Sequence, residues 1–170
     1  MAAVINNFAD SSFSSSQKGK SYFQQARYYE KLCPSSLLPQ RYYEKAAEAG
    51  YIPAIIFISG RYYQGCCFMV DSDNVYSSVY QDKAKAFEVI RGAVASSIEE
   101  TDATILFLLS RFYLEGIGCE KKESYAEYYL RNAIKEKEVE YFTIDEIQVF
   151  GNVSHDIRSL AKKISQSKMR

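Results

Sequence analysis

The side chains able to support nucleophilic or metal chemistry are few in this sequence of 170 residues. His155 is the single histidine, and the four cysteines are Cys33, Cys66, Cys67 and Cys119. Any Cys–His or Ser–His nucleophile pair would have to use His155, which we expect to be solvated near the start of the last helix. The cysteines show no Cys-x-x-Cys spacing of the kind that favours a metal site. We therefore predict no catalytic residue, no metal and no cofactor.

Glycine motifs lead to the same expectation. The sequence contains neither a Gly-x-Ser-x-Gly nucleophile turn nor a Gly-x-x-x-x-Gly-Lys-Ser/Thr phosphate loop. Gly116-Ile117-Gly118 lacks the third glycine and the preceding strand of a dinucleotide site. One alternative retains chemistry: Cys66 or Cys67 would serve a cysteine-dependent enzyme if a nearby charge lowered the thiol pKa. The simpler interpretation is four reduced thiols, because adjacent cysteines rarely bridge each other.

Composition excludes further classes. Lys plus Arg and Asp plus Glu each number 21, so the net charge is zero, which argues against a nucleic-acid binder. No stretch approaches the ~18–20 apolar residues of a membrane span. Residues 1–17 are rich in serine, carry no signal-peptide pattern and are predicted to be disordered. We expect a protein that is cytoplasmic, or secreted without a cleavable signal peptide.

Apolar periodicity predicts helices almost throughout, with no strand of consequence. Gly50, Gly65 and Gly116 mark helix ends, and Asp82 and Asp102 are candidate caps at helix starts. Residues 66–80 break the helical pattern with Asp, Ser and Asn, and we interpret them as an inserted loop of about fifteen residues. The elements must therefore be helices joined by short turns, with one long interruption.

An Arg-aromatic-Tyr tripeptide recurs at 27–29, 41–43, 61–63 and 111–113. The first and third copies lie 34 residues apart, and the third and fourth lie 50 apart, which fits similar units separated by the insertion. A fuller pattern consists of two matching sets of residues, Ser59, Tyr62 and Gly65 in one unit and Ser110, Tyr113, Gly116 and Gly118 in the next. Alanines at 46, 47, 49, 54, 126 and 133 complete it.

This pattern resembles the Sel1-like repeat family, with Ser59 and Ser110 standing where the family has a helix glycine. The resemblance implies an all-α fold: an α-solenoid of about three antiparallel helix pairs over residues 18–135. Residues 136–170 would form C-terminal capping helices. It further implies a non-enzymatic protein–protein interaction module, an adaptor, scaffold or regulator, and in bacteria living inside host cells an effector or effector regulator.

Solenoids of this kind bind a protein or peptide on a concave face. Arg and Tyr are enriched at binding hot spots, and successive helical residues point about 100° apart, so not every aromatic can be buried. We predict that Arg61, Tyr63, Arg111 and Phe112 are exposed and contact the partner, together with the loop at 66–80.

The last helix, 154–168, is apolar on one side and basic on the other, with Arg158, Lys162 and Lys163 on the basic side. Two interpretations remain open. One is a helix that covers the end of the solenoid with a solvated outer face. The other is a third functional hypothesis, a peripheral membrane binder attracted to anionic lipid.

Overall fold

The computed structural model describes residues 15–33, 36–70, 75–79, 81–95, 100–135, 150 and 154–167. Within them lie seven helices and one two-stranded sheet. In chain order the elements are α1 (Ser15–Leu32), α2 (Leu38–Glu48), α3 (Ile52–Gln64), β1 (Cys66–Val70), β2 (Val75–Val79), α4 (Lys83–Gly92), α5 (Ala103–Glu115), α6 (Glu123–Ala133) and α7 (His155–Ser167).

Consecutive helices pack in pairs: α1 with α2, α3 with α4, and α5 with α6. Successive pairs then contact each other through α2 and α3 and through α4 and α5, and α7 packs on α5 and α6. The predicted all-α architecture of about three helix pairs is confirmed. Of the capping helices predicted within 136–170, the described residues contain α7. Of the expected disordered segment 1–17, residues 1–14 lie outside the described part, and α1 begins at Ser15, before the expected boundary.

Local chemistry sets the helix ends. The carboxylate of Asp82 accepts a 2.8 Å hydrogen bond from the Lys85 amide, and that of Asp102 accepts one of 2.8 Å from the Thr104 amide. These contacts satisfy amide groups that have no partner inside the first helical turn. At the other end of α5, Gly116 adopts a left-handed conformation with φ of 70°, which glycine reaches without strain.

The three helix pairs share one packing register. In α3 the buried Ser59 hydroxyl donates a 2.8 Å hydrogen bond to the carbonyl oxygen of Ala86 in α4. In α5 the buried Ser110 hydroxyl donates an equal bond to Ala126 of α6. In the first pair, a Cβ placed on Gly19 would lie 3.2 Å from the Ala46 carbonyl oxygen. Each pair therefore closes on a small residue facing an alanine, and the three alanines are spaced forty residues apart.

This register corrects the repeat spacing predicted from the Arg-aromatic-Tyr tripeptides. Gly19 precedes Ser59 by forty residues, not 34, and Ser59 precedes Ser110 by 51, not 50. Arg61 therefore corresponds in position to Phe112, and Arg111 corresponds to Gly60. The two arginines occupy different places in their helix pairs.

The interpretation of residues 66–80 as a structureless loop is wrong. Strands β1 and β2 pair antiparallel from Cys66 opposite Val79 to Val70 opposite Val75. Valine and aromatic residues in both runs favour strands, and the intervening Asp71-Ser72-Asp73-Asn74 is typical of a turn. At the base of the insertion, the Asp82 amide donates a 2.8 Å hydrogen bond to the Tyr62 carbonyl oxygen. The two ends of the insertion, at the end of α3 and the start of α4, therefore lie close together.

The core is centred on α5, in which every residue from Ile105 to Phe112 is buried. The apolar side of α7 packs into the same core through Ile157, Leu160, Ala161 and Ile164. Its basic side faces solvent, since Arg158, Lys162 and Lys163 are exposed. Helix α7 thus covers one side of the third helix pair with the amphipathic arrangement expected from its sequence.

Candidate interaction sites

The four residues predicted to contact a partner are not all exposed. Phe112 is fully buried and Arg111 retains 4% exposure, whereas Arg61 and Tyr63 are half-buried. The expectation that Arg111 and Phe112 are exposed is therefore wrong. Helix α5 is surrounded by the neighbouring pair, by α6 and by α7, so no side of its central turns faces solvent.

Arg61 connects the second helix pair to the first. Its guanidinium donates to the Gln40 side-chain carbonyl oxygen and lies 3.5 Å from a Glu30 carboxylate oxygen. The same group lies 4.5 Å from the centre of the Phe57 ring, a cation–π distance. The other Glu30 oxygen accepts a 2.8 Å hydrogen bond from the buried Tyr43 hydroxyl. Arg61 is therefore engaged within the fold.

The other three residues meet around one aromatic side chain. The Phe150 ring lies 5.3 Å from the Tyr63 ring and 5.4 Å from the Phe112 ring. The Arg111 guanidinium donates a 2.7 Å hydrogen bond to the backbone carbonyl oxygen of Phe150. We call Tyr63, Arg111 and Phe112 the Phe150 site. The sequence predicted that these three residues and Arg61 contact a partner, whereas here the three surround a residue of the same chain.

A second set of side chains combines lysine with tyrosine in each pair, at equivalent positions in the first two pairs and in a different arrangement in the third. The Lys45 ammonium lies 5.9 Å from the Tyr22 ring centre, and the Lys85 ammonium lies 4.5 Å from that of Tyr62. These pairs occupy equivalent positions. In the third pair the equivalent residues are both tyrosines, Tyr113 and Tyr125, with ring centres 5.2 Å apart. There Lys122 supplies the ammonium, 5.6 Å from the Tyr125 ring. We call these seven residues the tyrosine–lysine row.

The row combines exposed charge with partly exposed aromatic surface. Lys45 and Lys85 are exposed, and Tyr125 retains 49% exposure. A hydrogen bond with the Tyr62 side chain raises the pKa of Lys85, and a hydrogen bond with Glu120 raises that of Lys122. Both ammonium groups therefore stay charged at neutral pH and beyond.

Sequence reasoning missed this row, although a signal for it was present. Ala46, Ala86 and Ala126 are spaced forty residues apart, and so are Lys45 and Lys85. The more conspicuous Arg-aromatic-Tyr tripeptides drew attention to a different spacing. In an α-helical repeat the register is best defined by the small residues at the closest contact between the two helices, because a larger side chain cannot occupy that position.

The thiol and histidine groups give no activated nucleophile among the described residues. The His155 side chain is 93% exposed and lies 3.9 Å from its neighbour Asp156. Burial raises the pKa of the half-buried Cys119 thiol, whereas a nucleophilic cysteine needs a lowered one. Cys33 is exposed, and the side chains of Cys66 and Cys67 lie outside the described part. In that part no cluster of His, Cys, Asp and Glu could hold a metal ion.

The membrane hypothesis relied on the last helix. Its apolar side is already buried in the core, which leaves the basic side alone to face a bilayer. Across the described ranges, no helix combines the length and apolar character needed to span a membrane.

Comparison with solved structures identifies the fold. The chain is similar to the crystal structure of a Sel1 repeat protein from Oxalobacter formigenes, with 18% sequence identity and a TM-score of 0.56. The match covers 75% of this chain and 86% of that one. The sequence matches no family model and no curated protein. The chain therefore has the Sel1-like repeat fold that its alanine, tyrosine and glycine pattern predicted.

Proposed function

We propose that this chain is a non-enzymatic protein–protein interaction module, an adaptor or regulator that binds its partner along the tyrosine–lysine row. The observation that supports the proposal is the recurrence of a lysine over a tyrosine in each helix pair. Repeat proteins present one chemistry at regular intervals along a surface. A partner segment lying along the row would meet an ammonium group beside a tyrosine ring in each pair, with a different arrangement of the two groups in the third.

The row replaces the surface expected from the sequence because Arg61 and the Phe150 site contact the chain itself. Tyrosine supplies rigid, amphipathic contact area and is enriched at binding hot spots. The exposed ammonium groups of Lys45 and Lys85 attract carboxylates and favour correct orientation during encounter. We therefore propose a partner segment that carries Asp or Glu beside an apolar or aromatic residue.

The resemblance to Sel1-like proteins extends the proposal to two settings. The chain would act as an adaptor in the cytoplasm, or as an effector or effector regulator exported into another cell. The identity of the partner distinguishes these settings, because the two would come from different cells.

Affinity capture of the tagged full chain, read by mass spectrometry, tests the proposal. Wild type is compared with the double variant Lys45→Glu/Lys85→Glu and with a matched control, Lys162→Glu/Lys163→Glu. The control makes the same charge change on the exposed side of α7. We expect a protein that wild type and the control retain and the row variant loses. Identical sets from all three proteins would contradict the row as the interface.

A further inference from the structure

The Phe150 site has an occupant that arrives from far along the chain. Tyr63 comes from α3 and Arg111 and Phe112 from α5, whereas Phe150 belongs to the connection between α6 and α7. Phe150 is 1% exposed. Its ring is tilted by 56° to Tyr63 and by 69° to Phe112, which are favourable arrangements for aromatic pairs. The ring is thus held between side chains of two different helix pairs.

The site also binds the main chain of its occupant. The Arg111 guanidinium donates a 2.7 Å hydrogen bond to the Phe150 carbonyl oxygen, and its Nε lies 3.1 Å from the Glu115 carboxylate. An ion pair with Glu115 holds the guanidinium in place, because a buried charge needs a partner. An aromatic contact for the side chain and a charge-assisted donor for the main chain are the features by which peptide sites recognise a segment.

The packing of a helix pair does not require an arginine and a phenylalanine at the positions of Arg111 and Phe112. In the second helix pair the positions equivalent to Arg111 and Phe112 are Gly60 and Arg61, and that pair closes on the same Ser-to-Ala hydrogen bond. The pairing of α5 with α6 therefore does not depend on an arginine and a phenylalanine at these positions. In the third pair these two residues contact Phe150, while Phe112 also lies 6.3 Å from the Phe87 ring and Arg111 is bonded to Glu115.

We infer that the Phe150 site is a receptor for a phenylalanine-bearing peptide segment, and that the chain fills it with its own Phe150. A partner carrying phenylalanine with an accepting backbone carbonyl in the same arrangement would replace Phe150. A tethered occupant competes at an effective concentration on the order of millimolar, so wild type holds the site closed to weak ligands. The Phe150 site shares no residue with the tyrosine–lysine row.

Binding in trans tests the inference. The probe is a fluorescently labelled peptide of residues 146–154, with the sequence EIQVFGNVS, and its affinity is measured by anisotropy. We expect Phe150→Ala to bind the probe at least tenfold more tightly than wild type, because the competing occupant is gone. A probe with alanine in place of phenylalanine should not bind. Arg111→Lys in the Phe150→Ala background should weaken binding about tenfold, because lysine lacks the planar guanidinium fork.

The test also requires a check that the variants fold. Phe150→Leu leaves an apolar side chain in the site and serves as a second variant, with circular dichroism reporting the fold of both. If both variants unfold, Phe150 is an inseparable part of the core and the inference is overturned. It is equally overturned if a folded Phe150→Ala binds neither probe, or binds both alike. None of these outcomes affects the capture experiment on the row, which uses Phe150 in its native state.

Discussion

The hydroxyl of Ser59 and the carbonyl oxygen of Ala86 lie 2.8 Å apart at the centre of the second helix pair. Ser110 and Ala126 repeat this hydrogen bond in the third pair at the same distance. Both serines are fully buried, so each hydroxyl needs a partner inside the protein. A glycine at either position would allow the same close approach, but it would not provide the hydrogen bond that links the two helices.

Removing one of these hydroxyls should destabilise the fold modestly. For Ser59→Ala we expect the free energy of unfolding to fall by about 1 kcal/mol, the usual contribution of an intramolecular hydrogen bond. Urea unfolding followed by circular dichroism measures the change. Ser165→Ala is the matched control, since the exposed Ser165 hydroxyl bonds only within its own helix, to Ala161. Equal losses in the two variants would show that the contact between helices contributes nothing.

Gly118 should be among the least replaceable residues. Its φ is +68°, and an added Cβ would lie 1.9 Å from the Lys83 carbonyl oxygen at the start of α4. For Gly118→Ala we expect the free energy of unfolding to fall by roughly 3–5 kcal/mol, because left-handed strain adds to the backbone clash.

Gly50→Ala separates these two causes. Gly50 has a similar φ of +78° but nothing within 4 Å of its added Cβ, so we expect a loss of only about 1–2 kcal/mol. Thermal unfolding of both variants gives the comparison. Equal losses would mean that Gly118 is required for its backbone conformation alone and not for the contact between the second and third pairs.

Tyr43 should make stability depend on alkaline pH. Burial, followed by the hydrogen bond to Glu30, raises the pKa of its hydroxyl. The folded state therefore holds this proton more tightly than the unfolded chain. The resulting stability is complete below the unfolded tyrosine pKa of about 10 and is lost as the pH rises above it.

Replacing the hydroxyl tests that assignment. Tyr43→Phe should lower the free energy of unfolding by about 1 kcal/mol at pH 7 and should make its decline above pH 10 shallower than in wild type. Some decline should remain, because burial also raises the pKa values of Tyr113 and Tyr129. Urea unfolding at a series of pH values provides the data. A decline as steep as that of wild type would exclude Tyr43 as a source of the pH dependence.

Thiol reactivity distinguishes the interaction module from a cysteine-dependent enzyme. Burial raises the pKa of Cys119, so we expect it to label more slowly than the exposed Cys33 at pH 8. We also expect no thiol to label rapidly at acidic pH, as an activated nucleophile would. Labelling with a thiol probe across pH, with sites identified by peptide mapping, measures both. Rapid labelling of Cys66 or Cys67 at acidic pH would instead support the hypothesis of a cysteine-dependent enzyme.

Helix ends were predictable from the sequence because the signals that determine them are local. Asp82 and Asp102 cap helices α4 and α5, and Gly50, Gly65 and Gly116 follow helix ends with positive φ. Each depends on hydrogen bonds or dihedral angles within a few residues. The two strands were missed because the Asp, Ser and Asn residues at 71–74 dominated the composition of the stretch, although the runs on either side of them have strand-like sequences.

The burial of Arg111 and Phe112 was not predictable from spacing alone. Arg111 bonds to Phe150, 39 residues away, and local sequence carries no information about such a contact. One signal did exist in α5, where Ile105 to Leu109 form an unbroken apolar run. A helix that is apolar on all sides is normally buried on all sides, which argues against exposed partner-binding residues on its central turns.

Site-specific photo-crosslinking tests the central claim most directly. A photoreactive phenylalanine analogue replaces Tyr125, which lies in the tyrosine–lysine row with half of its surface exposed, or Lys163 on the solvent side of α7 as the control. Each full-length protein is irradiated with the partner identified by capture. Our account predicts a crosslink from position 125 and none from position 163. Crosslinking from position 163 alone, or equally from both, would contradict the row as the binding surface.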